Sequence, residues 1–389
     1  MSRASAPLEV PSPVNPQPLV TPPPRRPTAR FLVLLMTVVV LAVAACGGGA
    51  ASPSAPASVA PAASAGSALP TAPGTAATAT PAATTPSAAP VDLTVGLGYI
   101  PSVQFAQFYL AQKAGYYADA GLNVTLQNKI DPDLITLLGQ GAVDIGSGDG
   151  TSVIPAVSQG IPVVYTATIY GTFPAVVIAN AASGIRTAAD LKGKKIGIPG
   201  KYGTSWIQLQ ALLKSAGLTT NDVELMLFPD YGQTAALQQG AVDAATGFAN
   251  NEPIVLKRAG ITPVVLGTDS SIALPGPGLV TGTATLAHKR DALAAFTAAT
   301  LRAMDEITAD PQKGLDATFA AVPDLAQDPA LQREILDATI AAWKNPRTGG
   351  ALGSIDRAGW QQSLDFMSGL GLVPNPVTVD QLVNETLLP

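Results

Sequence analysis

One cysteine in 389 residues, Cys46, leaves no partner for an internal disulfide and no thiolate cluster for a metal. One histidine, His288, rules out a histidine-rich metal site and makes Ser–His–Asp chemistry a poor bet. Beside Lys289 and Arg290 at a helix start, it reads as a surface residue. Charge is scarce: 13% of residues carry it, and the net is −5. Basic clusters interleaved with aromatics are missing, which argues against a nucleic-acid partner. What remains is 47% hydrophobic, ample for a sizeable core.

The first ninety residues hold three different compositions. Residues 1–30 are Pro-rich and end in Arg25, Arg26 and Arg30, a cationic leader. Phe31–Ala45 is uncharged and apolar over 15 residues. That suits a signal-peptide core better than a membrane span of about 20 residues. It closes on Val43-Ala44-Ala45-Cys46, the pattern of a bacterial lipobox. Small residues there admit the processing peptidase, and the thiol of Cys46 can take a diacylglycerol. Gly47–Pro90 consists of Ala, Ser, Pro, Thr and Gly with Val59 and Leu69, and carries no charge. It cannot bury enough apolar surface to fold and reads as a tether. The expected division is therefore a signal peptide over 1–45 and a lipidated cysteine with its tether over 46–90.

Beyond the tether the charge balance changes. The 22 Lys and Arg include Arg3, Arg25, Arg26 and Arg30, and the 27 Asp and Glu include Glu9. From Val91 onward 18 basic residues therefore face 26 acidic ones, a net of −8. In this part Asp92–Gly98 alternates as a strand does. Ser102 suits the N-cap of a helix Val103–Ala114 whose Phe105, Phe108, Tyr109 and Leu110 form a core face. A strand over Asn123–Gln127 follows. Later come strands at Val163–Ile169 and Lys195–Ile198, then a helix over Trp206–Ala216. The sequence Gly200-Lys201 is not a phosphate loop, because Tyr202 stands where Ser or Thr is required and the glycine spacing differs. Ser205 next to it has no base nearby and reads as a helix cap.

A repeat organises the whole. Gly141-Ala-Val-Asp144 returns 99 residues later as Gly240-Ala-Val-Asp243. Each copy has a helix before it, a buried strand at or after it and a polar loop beyond. In the second copy a helix Thr234–Gln239 is closed by Gly240, and a strand Ala241–Phe248 stops at Asn250-Asn251-Glu252. Two α/β units of one plan place two sets of strand carboxyl ends face to face, and in open α/β sheets ligands sit at such ends. The expected fold is α/β with two lobes of mainly parallel sheet. Lobe one covers 91–180, lobe two 181–275, and 276–389 returns to lobe one with a helical tail. The crossings between lobes are expected near Ala179 and Gly278. Trp343 and Trp360 in the tail read as core.

The segments VGLGYIPSVQFAQFYLAQKAGYYADAGLNVTL, DIGSGDG and DLKGKKIGIPGKYGTS resemble type II solute-binding proteins of ABC importers, in the branch named after fungal thiamine-pyrimidine synthesis. The resemblance covers nearly all of residues 92–290. It implies a type II periplasmic-binding-protein fold and a monomer that hands a small molecule to an ABC permease and its ATPase. Fungal pyrimidine synthases share this fold but use histidine and a cysteine-rich iron site, and this chain has neither. No enzyme activity and no cofactor are expected. The expected ligand contacts are Tyr99, Gln104, Asp149, Tyr170, Lys201, Tyr202, Gly203, Thr204, Asn250, Asn251 and Glu252. Tyrosines and amides with a single cation suit a flat, neutral, hydrogen-bonding heterocycle. GYIPSVQFAQFY, GIPGKYGTS and GFANNEP are most similar to receptors assigned to riboflavin uptake, with receptors for thiamine pyrimidine precursors as near neighbours.

Overall fold

Strand β1, Val91–Gly96, sends Leu93 and Val95 into the core while Val91 and Asp92 stay exposed. The Ser102 hydroxyl then accepts the Gln104 N–H at 3.2 Å and caps a short turn, Val103–Phe105, that leads into helix α1, Ala106–Lys113. The computed structural model describes residues 89–128, 134–268 and 274–389. The signal segment, Cys46 and the tether to Ala88 lie outside the described residues.

Helix α2, Tyr116–Asp119, and strand β2, Leu122–Gln127, follow α1; β2 pairs parallel with β1 from Val91↔Leu122 to Gly96↔Gln127. Helix α3, Leu134–Gln140, strand β3, Ile145–Gly148, helix α4, Gly150–Ser158, and strand β4, Val163–Thr168, complete the first pass. The second pass runs through strands β5, Ala175–Asn180, and β6, Lys195–Ile198, helix α5, Gly203–Ser215, and strand β7, Glu224–Leu227. It continues with helix α6, Gln233–Gln238, strand β8, Ala244–Phe248, helix α7, Glu252–Arg258, and strand β9, Pro263–Leu266. The chain returns as β10, Gly278–Gly282. It ends in helices α8, Thr283–Ala309, α9, Pro311–Ala321, α10, Pro329–Trp343, α11, Arg357–Gly369, and the short α12, Val379–Leu382.

Two sheets result, ordered β2-β1-β3-β10-β4 and β7-β6-β8-β5-β9. Four strands of each run parallel to one another, and the fifth, β10 or β5, runs against both of its neighbours. In each sheet the odd strand is the one by which the chain arrives from the other lobe. It enters at the edge where the two sheets meet and runs away from it, whereas strands followed by a crossover helix run towards it. The sheets are thus mixed, and each owes its antiparallel strand to the chain's passage between lobes.

That same strand corrects the lobe boundary. Ala175–Asn180 belongs to the second sheet, buried between β8 and β9. The first crossing is therefore the segment between Thr168 and Ala175, ahead of Ala179, and the second lies just before Gly278. The two run side by side: the Ile169 and Tyr170 N–H groups donate to the Pro277 carbonyl at 3.1 and 2.8 Å. Gly276 is required there, since a Cβ would stand 2.3 Å from the Tyr170 carbonyl oxygen.

The repeated tetrapeptide is a structural device. Gly141 and Gly240 close α3 and α6 at φ of 73° and 71°. Asp144 then accepts the Thr94 N–H on Oδ2 at 2.8 Å, and Asp243 accepts the Lys195 N–H at 2.8 Å in the same way. Each aspartate thereby ties the start of its strand to the parallel neighbour. This is why β8 begins at Ala244 rather than Ala241.

The tail packs on lobe one. Phe296 of α8 stacks on Phe108 with ring centroids 6.2 Å apart, and Trp343 and Trp360 are 2% and 1% exposed. Both tryptophans are core, as their context in the sequence implies, and His288 is exposed. Pro155 interrupts the pattern of α4 and Gly314 that of α9, although Asp149, and Asp310 with Pro311, mark where the two helices start. No described helix is long and apolar enough to cross a membrane.

Candidate functional site

The carboxyl ends of β1, β3, β6 and β8 converge on a cavity of about 220 Å³ between the lobes. Lobe one contributes Tyr99, Gln104, Asp149 and Tyr170; lobe two contributes Tyr202, Gly203, Thr204 and Glu252. These eight of the eleven expected contacts line one space. Among the described residues, its wall holds two carboxyl groups and no lysine, arginine or histidine.

Asp149 follows β3 and caps α4. Its Oδ1 accepts the Thr151 hydroxyl at 2.5 Å and the Ser152 N–H at 3.0 Å. Its Oδ2 accepts the Thr204 hydroxyl from the first turn of α5, so one buried acid joins the two lobes. Burial pushes its carboxyl above the usual range, and the hydroxyl and amide donors partly offset this. Ser205 also lines the cavity, as the third residue of α5 rather than its cap.

Glu252 opens α7 and folds back on its own loop, its Oε2 accepting the Phe248 N–H at 2.7 Å. Gly247 makes room for it: a Cβ there would stand 2.9 Å from the Glu252 side chain. Burial again raises the carboxyl, against the pull of the Phe248 amide. Tyr99 is held above the ordinary phenol range first by burial and then by the nearby Glu252 charge.

Three expected contacts lie elsewhere. Lys201 is exposed on the turn before α5 and does not reach the cavity wall. Asn250 is 3% exposed behind the wall, donating to Gln104 Oε1 and to the Thr339 hydroxyl of α10 at 2.9 Å each. It braces Gln104 and Tyr170 rather than facing the space. Asn251 is the residue before α7, with its amide 3.4 Å from Glu252 Oε1. All three sit in polar loops at strand ends, and sequence position alone does not say which way a loop side chain turns.

Fifteen of the lining residues are not among the expected contacts, and the polar Tyr231 and Gln233 are two of them. Tyr231 stands in the loop after β7 and Gln233 opens α6; β7 is an exposed edge strand whose ELML pattern has no clear burial period. Tyr231 meets Tyr99 across the cleft edge to face, centroids 4.9 Å apart and planes at 88°. Its φ is 61°, the one non-glycine residue in the left-handed region among the described residues. Burial raises its hydroxyl to about 12. The turn-rich Pro229-Asp230-Tyr231-Gly232 is the signal that could have marked it.

A family model described as NMT1/THI5 like matches residues 102–314. The riboflavin-binding protein RibY of Chloroflexus aurantiacus is 31% identical over 323 residues, covering 79% of this chain and 92% of that protein. The formylaminopyrimidine-binding protein of Halalkalibacterium halodurans is 28% identical over 298 residues, 74% of this chain and 87% of that one. Among solved structures, the alkanesulfonate-binding protein SsuA of Xanthomonas axonopodis pv. citri, bound to MOPS, superposes with a TM-score of 0.62. It is 18% identical, with 77% of this chain and all of that one covered. Other relatives are named as pyrimidine phosphate synthases. The likeness to SsuA establishes the fold.

Proposed function

Because the chain belongs to the NMT1/THI5-like family, we propose that it is the lipid-anchored, extracytoplasmic solute-binding component of an ABC importer, and that its solute is riboflavin. The observation that carries the reading is the interlobe cavity: tyrosines from both lobes, two carboxyls, buried amides and no cation. Aromatic faces suit a flat ring, and acceptors without a cation favour a neutral, hydrogen-bond-donating solute over an anion. The name of the RibY relative, which aligns over most of both chains, points to the same solute. Capture without conversion is supported by the two acids being held by hydroxyl and amide donors, Asp149 by Thr151, Ser152 and Thr204 and Glu252 by Phe248, rather than by each other. Release goes to a permease and its ATPase, and Cys46 with its tether holds the receptor at the membrane.

One observation favours a second reading. The cavity of about 220 Å³ is below the roughly 300–1,000 Å³ usual for such sites. A single-ring pyrimidine needs less room than a tricyclic flavin, so a cavity of this size suits it better. Titration of the protein with riboflavin, read by quenching of flavin fluorescence, tests the main reading. Saturable one-to-one quenching supports it. No quenching, with calorimetric binding of formylaminopyrimidine, moves the assignment to the pyrimidine.

A further inference from the structure

Gln233, the first residue of α6, is 2% exposed and lines the cavity. Its amide nitrogen donates to the Thr246 carbonyl at 3.2 Å. That bond fixes the orientation of the amide, since the reverse would set two acceptor oxygens against each other. The stem is equally confined: it packs on Gly197 of β6, where a Cβ would stand 2.9 Å from Gln233 Cβ. Gln233 Oε1 is one of seven buried side-chain polar atoms with no partner among the described residues, and Gln233 is the one of these residues that lines the cavity. A buried acceptor without a donor is unfavourable, and such groups are rare unless a ligand or water completes them. The loop leading to it is itself pinned, with Tyr231 in the left-handed region and the Gly232 N–H donating to Asp230 Oδ1 at 3.2 Å.

We propose that Gln233 Oε1 accepts a hydrogen bond from an N–H of the bound solute, so that the site selects flat heterocycles bearing an N–H at their edge. The proposal rests on the cavity being the solute site, and not on which heterocycle fills it. The imide of a flavin and the exocyclic amine of an aminopyrimidine both supply such a donor. Tyr99 and Tyr231 offer the faces, while Gln233 reads the edge.

The test is a cycle with two ligands and two proteins, using the full-length chain in detergent. Riboflavin is compared with 3-methylriboflavin, in which the imide N–H becomes N–CH₃, on wild type and on Gln233→Met. Wild type is expected to bind riboflavin roughly 5- to 150-fold more tightly than the methyl derivative, the factor for one unpaired buried hydrogen-bonding group. Gln233→Met is expected to lose riboflavin affinity by a similar factor and to discriminate little between the two. The comparison on wild type involves no variant, so a folding defect in Gln233→Met cannot mask the answer. Equal binding of both ligands by wild type overturns the proposal, as does discrimination that survives in Gln233→Met. Binding of formylaminopyrimidine but neither flavin overturns the riboflavin assignment alone. The same cycle with formylaminopyrimidine and its N,N-dimethylamino derivative then decides the role of Gln233.

Discussion

Replacing Tyr231 by glycine and, separately, by alanine separates the strain at that residue from its contact with solute. At φ 61° an L-residue sets its Cβ close to the following carbonyl oxygen, which costs about 1–2 kcal/mol and is absent for glycine. Both variants lose the edge-to-face contact with Tyr99, about 0.5–1.5 kcal/mol beyond the area it buries. Alanine keeps the strain, whereas glycine relieves it at the price of a more flexible unfolded chain, roughly 0.5–1 kcal/mol. Tyr231→Gly should therefore be more stable than Tyr231→Ala by up to about 1.5 kcal/mol, the reverse of the order in a helix interior. Affinity for riboflavin should fall in both to a similar extent. Loss of one aromatic face alone gives about 2- to 13-fold. Urea unfolding followed by circular dichroism gives the stability order, and fluorescence quenching gives the affinities. If Tyr231→Ala equals or exceeds Tyr231→Gly in stability, the left-handed conformation is wrong. If both bind like wild type, Tyr231 does not face the solute.

Ile198, fully buried beside Ile196, Leu209 and Leu213, belongs to the core of lobe two, so Ile198→Ala should cost about 2–5 kcal/mol in urea unfolding. Its effect on affinity, measured under native conditions, should be the smaller one. Glu252 has a carboxyl raised by burial, so its folded form holds a proton more tightly than the unfolded chain does. Stability from this group is full below the unfolded value of about 4.3 and is lost as pH rises through the folded value. Unfolding measured from pH 4 to 8 should therefore show wild type falling relative to Glu252→Gln as pH rises; parallel curves would count against the burial of this acid. Cys46→Ser should release a lipid-free, processed form from the membrane fraction, and retention of that form after cell fractionation would sink the anchor. Retention through an uncleaved Phe31–Ala45 would leave the anchor assignment standing.

The fold was legible in the sequence because its signals are local and repeated. Gly141 and Gly240 mark helix ends by a backbone angle that glycine adopts without a Cβ penalty, and the Asp after each marks a strand start. The run Lys195–Ile198 is short and ended by Pro199-Gly200, which marks it as a strand without reference to its neighbours. The site was legible to the extent that loops at strand ends carry it: Tyr99, Asp149, Thr204 and Glu252 all line the cavity. Three matters only the tertiary structure decided. The run Ala175–Asn180 is a strand in either lobe by composition, and only pairing with β8 and β9 places it in the second. Asn250 and Glu252 are two residues apart in one polar loop, yet the first braces Gln104 and Thr339 behind the wall while the second reaches the wall itself. That difference comes from the turn into α7, which points neighbouring side chains in different directions. Gln233 reads as an ordinary helix-starting amide. Its meaning depends on a carbonyl 13 residues away, at Thr246, that holds its nitrogen and leaves its oxygen without a partner.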